Sequence, residues 1–232
     1  MNTYSINICS FFKQNCILCD MPCNSLQSIC PTCWNDLPWQ LNTCKHCAIT
    51  ISAKSADICK NCLKKKPHFD NTIAAFNYQF PIDIILPKIK KQQAKHHIKW
   101  LAHALAGKIS IQQNYQLPEA LIPVPLSNIK QLIKGYNQTE QLCLALNKSL
   151  QININTQLVV KVKETQSQAS LKAKARKKNL IDAFRVHKTP LKHVAIVDDV
   201  MTTGATANEI AKELKKAGVQ KIELWILART PI

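Results

Sequence analysis

The chain has 232 residues, of which 46% are hydrophobic, and its 31 lysine and arginine residues outweigh 14 acidic residues to give a net charge of +17. This apolar content is enough for one medium-sized domain and a small one, so that intrinsic disorder is not expected. No run of about 18 uncharged apolar residues occurs, which excludes a typical membrane-spanning helix.

The basic charge favours a polyanionic partner, but 28 of the 31 cations are lysines. Because lysine is a point charge without the arginine fork, base-specific readout is not expected. The alternative is a solvated, lysine-rich surface that binds nothing in particular. Residues 1–13 lack the pattern of a signal peptide, so we expect a cytoplasmic protein, in which disulfides are rare.

Eight of the eleven cysteines form four Cys-x2-Cys pairs, separated by 10, 10 and 11 residues. Two thiolates of one tight turn can reach the same ion, and two such turns complete the four-thiolate tetrahedral site that zinc prefers. We therefore predict two zinc ions. The simplest grouping is consecutive, with Cys16, Cys19, Cys30 and Cys33 on one ion and Cys44, Cys47, Cys59 and Cys62 on the other; an interleaved grouping is the alternative.

A structural role is favoured for these sites, because four thiolates leave no open position for catalysis and about 50 residues are too few for a large core. An iron–sulfur cluster is the minor alternative. Cys9, Cys23 and Cys143 fall outside the spacing and are expected to be ordinary buried or free thiols. We predict that His46 is a surface residue and not a ligand.

The sequence 64–67, Lys-Lys-Lys-Pro, predicts a boundary between a cysteine-rich zinc-binding domain, residues 1–66, and a second domain, residues 67–232. In the second domain, hydrophobic periodicity predicts strands over 72–78, 121–126, 194–197 and 222–228, and helices over 82–91, 98–109, 139–150 and 205–217. The helix over 139–150 is expected to turn Leu142, Ala145, Leu146 and Ser149 inward. This alternation predicts an α/β fold, a mostly parallel sheet with helices on both faces.

A candidate phosphate and ribose site follows the strand over 194–197. Only four glycines occur in the chain, and one of them lies in a loop directly before a helix, where backbone amides and the helix dipole favour a phosphate. Ionised Asp198 and Asp199 can each accept a hydrogen bond from a ribose hydroxyl. An acidic pair that only caps the helix would not explain the rest of the loop, which consists of Thr202, Thr203, Gly204, Ala205 and Thr206.

Several blocks of the sequence resemble the ComF/ComFC/GntX family of competence-associated, phosphoribosyltransferase-like proteins. Besides the four cysteine pairs and residues 197–206, the matching blocks are 122–126 (Ile-Pro-Val-Pro-Leu), 135–138 (Gly-Tyr-Asn-Gln), 168–171 (Gln-Ala-Ser-Leu) with Arg176 and Asn179, and 225–230 (Trp-Ile-Leu-Ala-Arg-Thr). The family usually has arginine before the Gly-Phe-Asn-Gln block, whereas this chain has Lys134. This exchange predicts a weaker hold on a diphosphate.

The resemblance implies a type I phosphoribosyltransferase fold behind an N-terminal double zinc ribbon. It also implies binding of phosphoribosyl diphosphate with magnesium, and a role with single-stranded DNA in natural transformation, with the competence helicase machinery as a candidate partner. On this interpretation Pro123, Val124, Pro125 and either Lys130 or Lys134 hold the diphosphate. The ribose is held near its anomeric carbon by the candidate catalytic residues Asp198 and Asp199.

Two functions follow from this interpretation. The first is a binding protein that uses its lysines on single-stranded DNA, with Trp100 as a candidate stacking platform. The second is an active phosphoribosyltransferase that displaces diphosphate with a base or amine acceptor, for which the sequence offers no acceptor-activating group. The lysines of the DNA footprint are Lys88, Lys90, Lys91, Lys95, Lys99 and those of residues 172–178, and the latter segment is also a candidate lid.

Overall fold

In the computed structural model, the described residues are 14–25, 28–52, 57–91, 94–112, 115–126, 135–163 and 180–231. The chain divides into two compact units, Met1–Leu37 and Pro38–Ile232. The second group of four cysteines, Cys44, Cys47, Cys59 and Cys62, therefore lies in the same unit as the α/β fold. The sequence had placed the domain boundary after residue 66. No helix in these described ranges is long and apolar enough to cross a membrane.

The first unit is a small cysteine ribbon. Strands β1 (Gln14–Asn15) and β2 (Pro22–Cys23) pair antiparallel around the first Cys-x2-Cys turn. Helix α1 (Pro31–Asn35) follows Cys30, whose thiol accepts a hydrogen bond from the Cys33 amide at 3.5 Å. Proline at the first helical position suits this start, because the missing N–H would have no intrahelical partner there.

A parallel five-stranded sheet organises the second unit. After helix α2 (Lys60–Lys64), the elements in chain order are β3 (Asn71–Asn77), α3 (Ile82–Lys90), α4 (His97–Ser110), β4 (Ala120–Pro123), α5 (Gln138–Leu150), β5 (Asn153–Ile154), β6 (Val159–Lys161), β7 (Phe184–Val186), β8 (His193–Met201), α6 (Ala205–Lys216) and β9 (Lys221–Arg229). The strand order is β3-β9-β8-β4-β5, and every pairing between neighbours is parallel.

Helices flank the sheet because successive strand residues point to opposite faces. Ile196 of β8 and Ile226 of β9 join the core cluster that contains Ile210 and Leu214 of α6. Trp225 of β9, next to Ile226 in the strand, points to the other face of the sheet and is fully buried. Helix α4 contacts α5, β3 and β9. Because β4 and β8 are parallel neighbours, their carboxyl ends lie at the same edge of the sheet, which is where ligands bind in open parallel sheets.

Most predicted elements are present with shifted ends. The predicted strand over 194–197 is a nine-residue strand that runs through both aspartates, and an unpredicted antiparallel hairpin, β6 with β7, flanks the basic segment. In α5, Leu142 and Leu146 are buried as expected. Ser149 is exposed and Cys143 is buried in its place, so that part of the prediction was wrong. Trp100 is 2% exposed and donates to Nδ1 of His97, which contradicts a stacking role for its ring.

The amino-terminal edge of the sheet carries a buried carboxylate, Glu223, which is fully inaccessible to solvent. It accepts hydrogen bonds from the Tyr115 hydroxyl and from Trp225 Nε1 at 3.0 Å, and it pairs with His193 Nε2 at 3.0 Å and Lys221 Nζ at 3.1 Å. Burial opposes ionisation, but these partners lower the pKa of Glu223 to about 2. The cluster holds β8, β9 and the segment before β4 together at this edge.

Candidate functional site

A cavity of about 400 Å³ lies at the carboxyl edge of β4 and β8. This volume falls within the range of sites for small ligands. Most of the predicted site residues line it, namely Val124, Pro125, Asp198, Asp199, Thr202, Thr203, Gly204, Ala205 and Thr206, together with Tyr78, Lys90, Gln138 and Thr230, which the sequence did not assign to this site. Pro123 ends β4 beside the cavity and pairs with Val197. Lys130 and Lys134 lie outside the described residues.

The acidic pair is held in place by the backbone. Asp198 Oδ1 accepts the amide of Asp199 at 2.9 Å, and Asp199 Oδ1 accepts the amide of Val200 at 2.8 Å. Asp199 is nearly buried, with 7% exposure. Burial and the adjacent charge of Asp199 raise the pKa of Asp198 to about 8. A hydrogen-bond donor or cation that entered the cavity would favour the ionised form of Asp198.

A lysine that sequence reasoning placed on the outer surface belongs to this site. Lys90 Nζ lies 2.9 Å from Asp199 Oδ2. Burial lowers the pKa of Lys90, but the charges of Asp199 and Asp198 outweigh it, and the net shift is upward. Lys90 is the last residue of α3 and reaches β8 only through the tertiary fold, so no local sequence signal marks it. It supplies the positive charge that the two aspartates require.

The loop before α6 has the geometry of an anion site. Gly204 has φ +72°, a left-handed conformation that favours glycine, and an added Cβ would clash with the Met201 methyl group. The Thr203 hydroxyl accepts the Ala205 amide at 3.3 Å. The first turn of a helix leaves backbone N–H groups without intrahelical partners and carries a partial positive charge, which together favour a phosphate.

The turn after β4 is fixed from two sides. The Val124 amide donates to the Val197 carbonyl at 3.0 Å, and the Val124 carbonyl accepts from Thr139 Oγ1 at 2.9 Å and Asn137 Nδ2 at 3.3 Å. Asn137 also caps α5 by accepting the Thr139 amide. The predicted diphosphate turn is therefore held between β8 and the start of α5, and Gln138 of the Gly-Tyr-Asn-Gln block lines the cavity.

The eight paired cysteines form the two consecutive tetrads. Within each set, Cys16, Cys19, Cys30 and Cys33 or Cys44, Cys47, Cys59 and Cys62, the sulfur atoms all lie within 4.8 Å of one another. All of these thiols are free of disulfides, and this clustering of four sulfurs fits a tetrahedral zinc ion. Burial raises the pKa of Cys44, but backbone amides of Cys59, Cys47 and His46 lower it to a net value of about 7.

The thiols and the histidine outside the spacing are also placed. Cys23 and Cys143 are buried, as expected, whereas Cys9 lies outside the described residues. His46 is 8% exposed, with Nδ1 2.8 Å from the Asp70 carbonyl oxygen. The prediction that His46 is a surface residue was wrong, because the third cysteine turn packs against the segment that leads into β3.

Comparison with known proteins shows which family the chain belongs to. The family model of the phosphoribosyl transferase domain matches residues 142–232. Competence protein F of Haemophilus influenzae is 36% identical over 235 residues, covering 95% of this chain and 99% of that protein. The chain belongs to the ComF family. DNA utilization protein YhgH of Salmonella typhimurium is a further relative, 31% identical over 93% of this chain and 96% of its own length.

Among solved structures, a glutamine phosphoribosylpyrophosphate amidotransferase from B. subtilis is similar over 56% of this chain and 25% of its own, at 15% identity and a TM-score of 0.37. The family match and the parallel sheet order agree on a type I phosphoribosyltransferase fold. The family block at 168–171, Arg176, Asn179 and the basic residues 172–178 lie outside the described residues.

Proposed function

We propose that this ComF-family chain binds 5-phosphoribosyl 1-diphosphate at the carboxyl edge of its sheet and handles single-stranded DNA in the cytoplasm during competence. The observation that carries the first part is the convergence of the acidic pair and the Gly204 loop on one cavity of about 400 Å³. The names of two relatives, Competence protein F and DNA utilization protein, support the second part.

Each portion of the ligand has a chemically suited partner in the cavity. The 5-phosphate would occupy the loop over 202–206 at the start of α6. The ribose hydroxyls would donate to Asp198 and Asp199. Lys90, 2.9 Å from Asp199, would turn toward the diphosphate, and Lys130 or Lys134 would add further positive charge.

Magnesium fits the donor set of this site, because the carboxylates of Asp198 and Asp199 are hard oxygen ligands and magnesium commonly binds through one or two carboxylates plus phosphate oxygens. Bound with the ligand, the ion would neutralise charge on the diphosphate. The raised pKa of Asp198 supports this proposal, since a cation near the pair would offset the repulsion between the two carboxylates.

The side chains that line the cavity favour binding of phosphoribosyl diphosphate without turnover. The titratable side chains that line the cavity in the described part of the chain are Tyr78, Lys90, Lys161, Asp198 and Asp199. The aspartates would be committed to the ribose, and within the described ranges no histidine or glutamate lines the cavity to activate an acceptor. Incubation with magnesium, phosphoribosyl diphosphate and a panel of bases and amines should release no diphosphate above background; acceptor-dependent release would establish the transferase instead.

The DNA part of the proposal rests on charge. The net charge is +17, and Lys88, Lys91, Lys95 and Lys99 are exposed on α3, α4 and the segment between them. Lys90 is not available for this surface, because it pairs with Asp199. Buried Trp100 offers no ring for stacking, so contacts with phosphates would supply the affinity.

A salt titration of binding to a labelled single strand tests this footprint. We expect log Kd to depend on log salt with a slope of about 0.7 per phosphate contact. Replacing Lys88, Lys91, Lys95 and Lys99 by glutamine should reduce the slope. A matched variant with glutamine at the exposed Lys148, Lys163, Lys188 and Lys192 should change it less, and a second variant should test the lysines of 172–178. Equal slopes in all variants, or no binding at about 0.1 M salt, would remove DNA from the proposal.

A further inference from the structure

A single buried guanidinium joins the second cysteine tetrad to the phosphate loop. Arg229, the last residue of β9, is 2% exposed. Its Nε donates to the carbonyl oxygen of Cys47 at 2.8 Å. Its Nη1 donates to the carbonyl oxygens of Met201 at 3.0 Å and Thr202 at 2.7 Å. The fork therefore bridges a metal-ligand residue and the first residues of the loop over 202–206.

The charge of Arg229 is balanced in an unusual way. The described residues include no carboxylate in an ion pair with it, and its hydrogen-bond partners at Cys47, Met201 and Thr202 are carbonyl oxygens. A zinc ion held by four thiolates carries net negative charge, so a metal-loaded tetrad supplies the counter-charge that this buried cation requires.

The turn that contains Cys47 is also fixed on its other side. The Thr72 amide donates to the Lys45 carbonyl at 2.9 Å, and the Thr72 hydroxyl donates to the His46 carbonyl at 2.5 Å. Since Thr72 belongs to β3, the sheet holds one end of the turn while Arg229 connects the other to the loop. Both sides of the turn are thus anchored, one to β3 and the other, through Arg229, to the Met201 and Thr202 carbonyls.

We propose that Arg229 is a positioning residue through which the metal-loaded second tetrad orders the phosphate loop. Loss of the metal or of the fork loosens the loop and weakens its hold on a phosphate, and phosphate binding in turn strengthens retention of the second metal, because linkage is reciprocal. The ligand arm of this inference rests on the proposed binding of phosphoribosyl diphosphate. The loop-ordering arm does not.

Hydrogen exchange of the full-length, zinc-loaded protein tests the ordering arm. Arg229→Gln should speed exchange at the amides of 202–207 about tenfold, relative to the core amides of 194–197, while Arg229→Lys, which keeps the charge but not the fork, should fall between. Arg185→Gln, at an exposed arginine on β7, is the matched control. Unchanged exchange at 202–207 in both Arg229 variants would overturn the inference. If Arg229→Gln fails to fold, the lysine variant decides.

The ligand arm uses Cys30→Ser, which disables the first tetrad so that chelator competition reports on the second alone. Phosphoribosyl diphosphate should raise zinc affinity about tenfold in this background, and this gain should vanish when Arg229→Gln is added. Ligand binding with no gain in zinc affinity would overturn the coupling. If the parent protein binds no ligand, the proposed function fails, while the exchange experiment still decides whether Arg229 orders the loop.

Discussion

Replacing Asp198 by asparagine should stabilise the ligand-free protein while weakening its hold on ribose. Burial and Asp199 raise the pKa of Asp198 from 3.8 to about 8. Each pKa unit corresponds to about 1.4 kcal/mol, so the roughly three units between 3.8 and pH 7 set an upper bound of about 4 kcal/mol on the destabilisation. Because Asp198 keeps part of its surface in solvent and Lys90 lies close by, we expect about 1–3 kcal/mol.

The sign of the pH dependence follows from linkage. A carboxyl group with a raised folded-state pKa binds more protons in the folded than in the unfolded protein, so its contribution to stability is lost as pH rises from about 4 through 8. The free-energy difference between the Asp198→Asn variant and the parent should therefore grow over this range and level off above it.

Urea denaturation at pH 5, 7 and 8.5 measures this difference directly, with both proteins kept zinc-loaded and ligand-free. Asp182→Asn is the matched control, because the Asp182 side chain is 71% exposed and its ion pair with Lys163 is long, at 3.9 Å. This variant should change the free energy of unfolding by less than about 0.5 kcal/mol. A variant at position 198 that is less stable than the parent, or equally stable at every pH, would refute the reasoning.

Three further outcomes follow. Gly204→Ala should weaken phosphate binding and destabilise by about 1–2 kcal/mol, because φ is +72°; Gly107→Ala, in α4 with open space at its Cβ, should stabilise by about 0.5–1 kcal/mol in the same melts. Glu223→Gln should cost about 2–4 kcal/mol by denaturant titration, because it removes a buried charge with four partners, whereas Glu213→Gln should cost less than about 0.5 kcal/mol. Metal analysis should give two zinc ions per chain and one in Cys30→Ser; one ion or none in the parent would contradict the tetrads.

The phosphate loop could be predicted from local sequence because each of its parts lies next to the others along the chain. A buried apolar run, the pair Asp198 and Asp199, and Gly204 before an amphipathic stretch together indicate a strand, a loop and a helix N-terminus. The regular cysteine spacing likewise predicted the two tetrads. The ends of elements shifted, because burial periodicity alone does not show that β8 continues through the aspartates.

Features that depend on tertiary contacts could not be predicted in this way. Lys90 and Asp199 meet only when α3 packs beside β8, and periodicity cannot distinguish Lys90 from the exposed lysines around it. Trp100 lies on a helix whose buried face is broader than its sequence pattern suggested. Arg229 appeared only as part of a family block, since nothing local indicates that its fork reaches Cys47. Grouping of the second tetrad with the sheet depends on the same long-range contacts.

Calorimetric titration of phosphoribosyl diphosphate into the zinc-loaded protein, with and without magnesium, tests the central claim most directly when the parent is compared with the double variant Asp198→Asn and Asp199→Asn. Two lost charge-assisted hydrogen bonds of about 1.5–3 kcal/mol each predict a fall in affinity of at least about a hundredfold. The double variant should retain a cooperative melt and its zinc. Affinity that is equal in the two proteins, or a parent that binds no phosphoribosyl diphosphate at millimolar concentration, would contradict the assignment of this cavity.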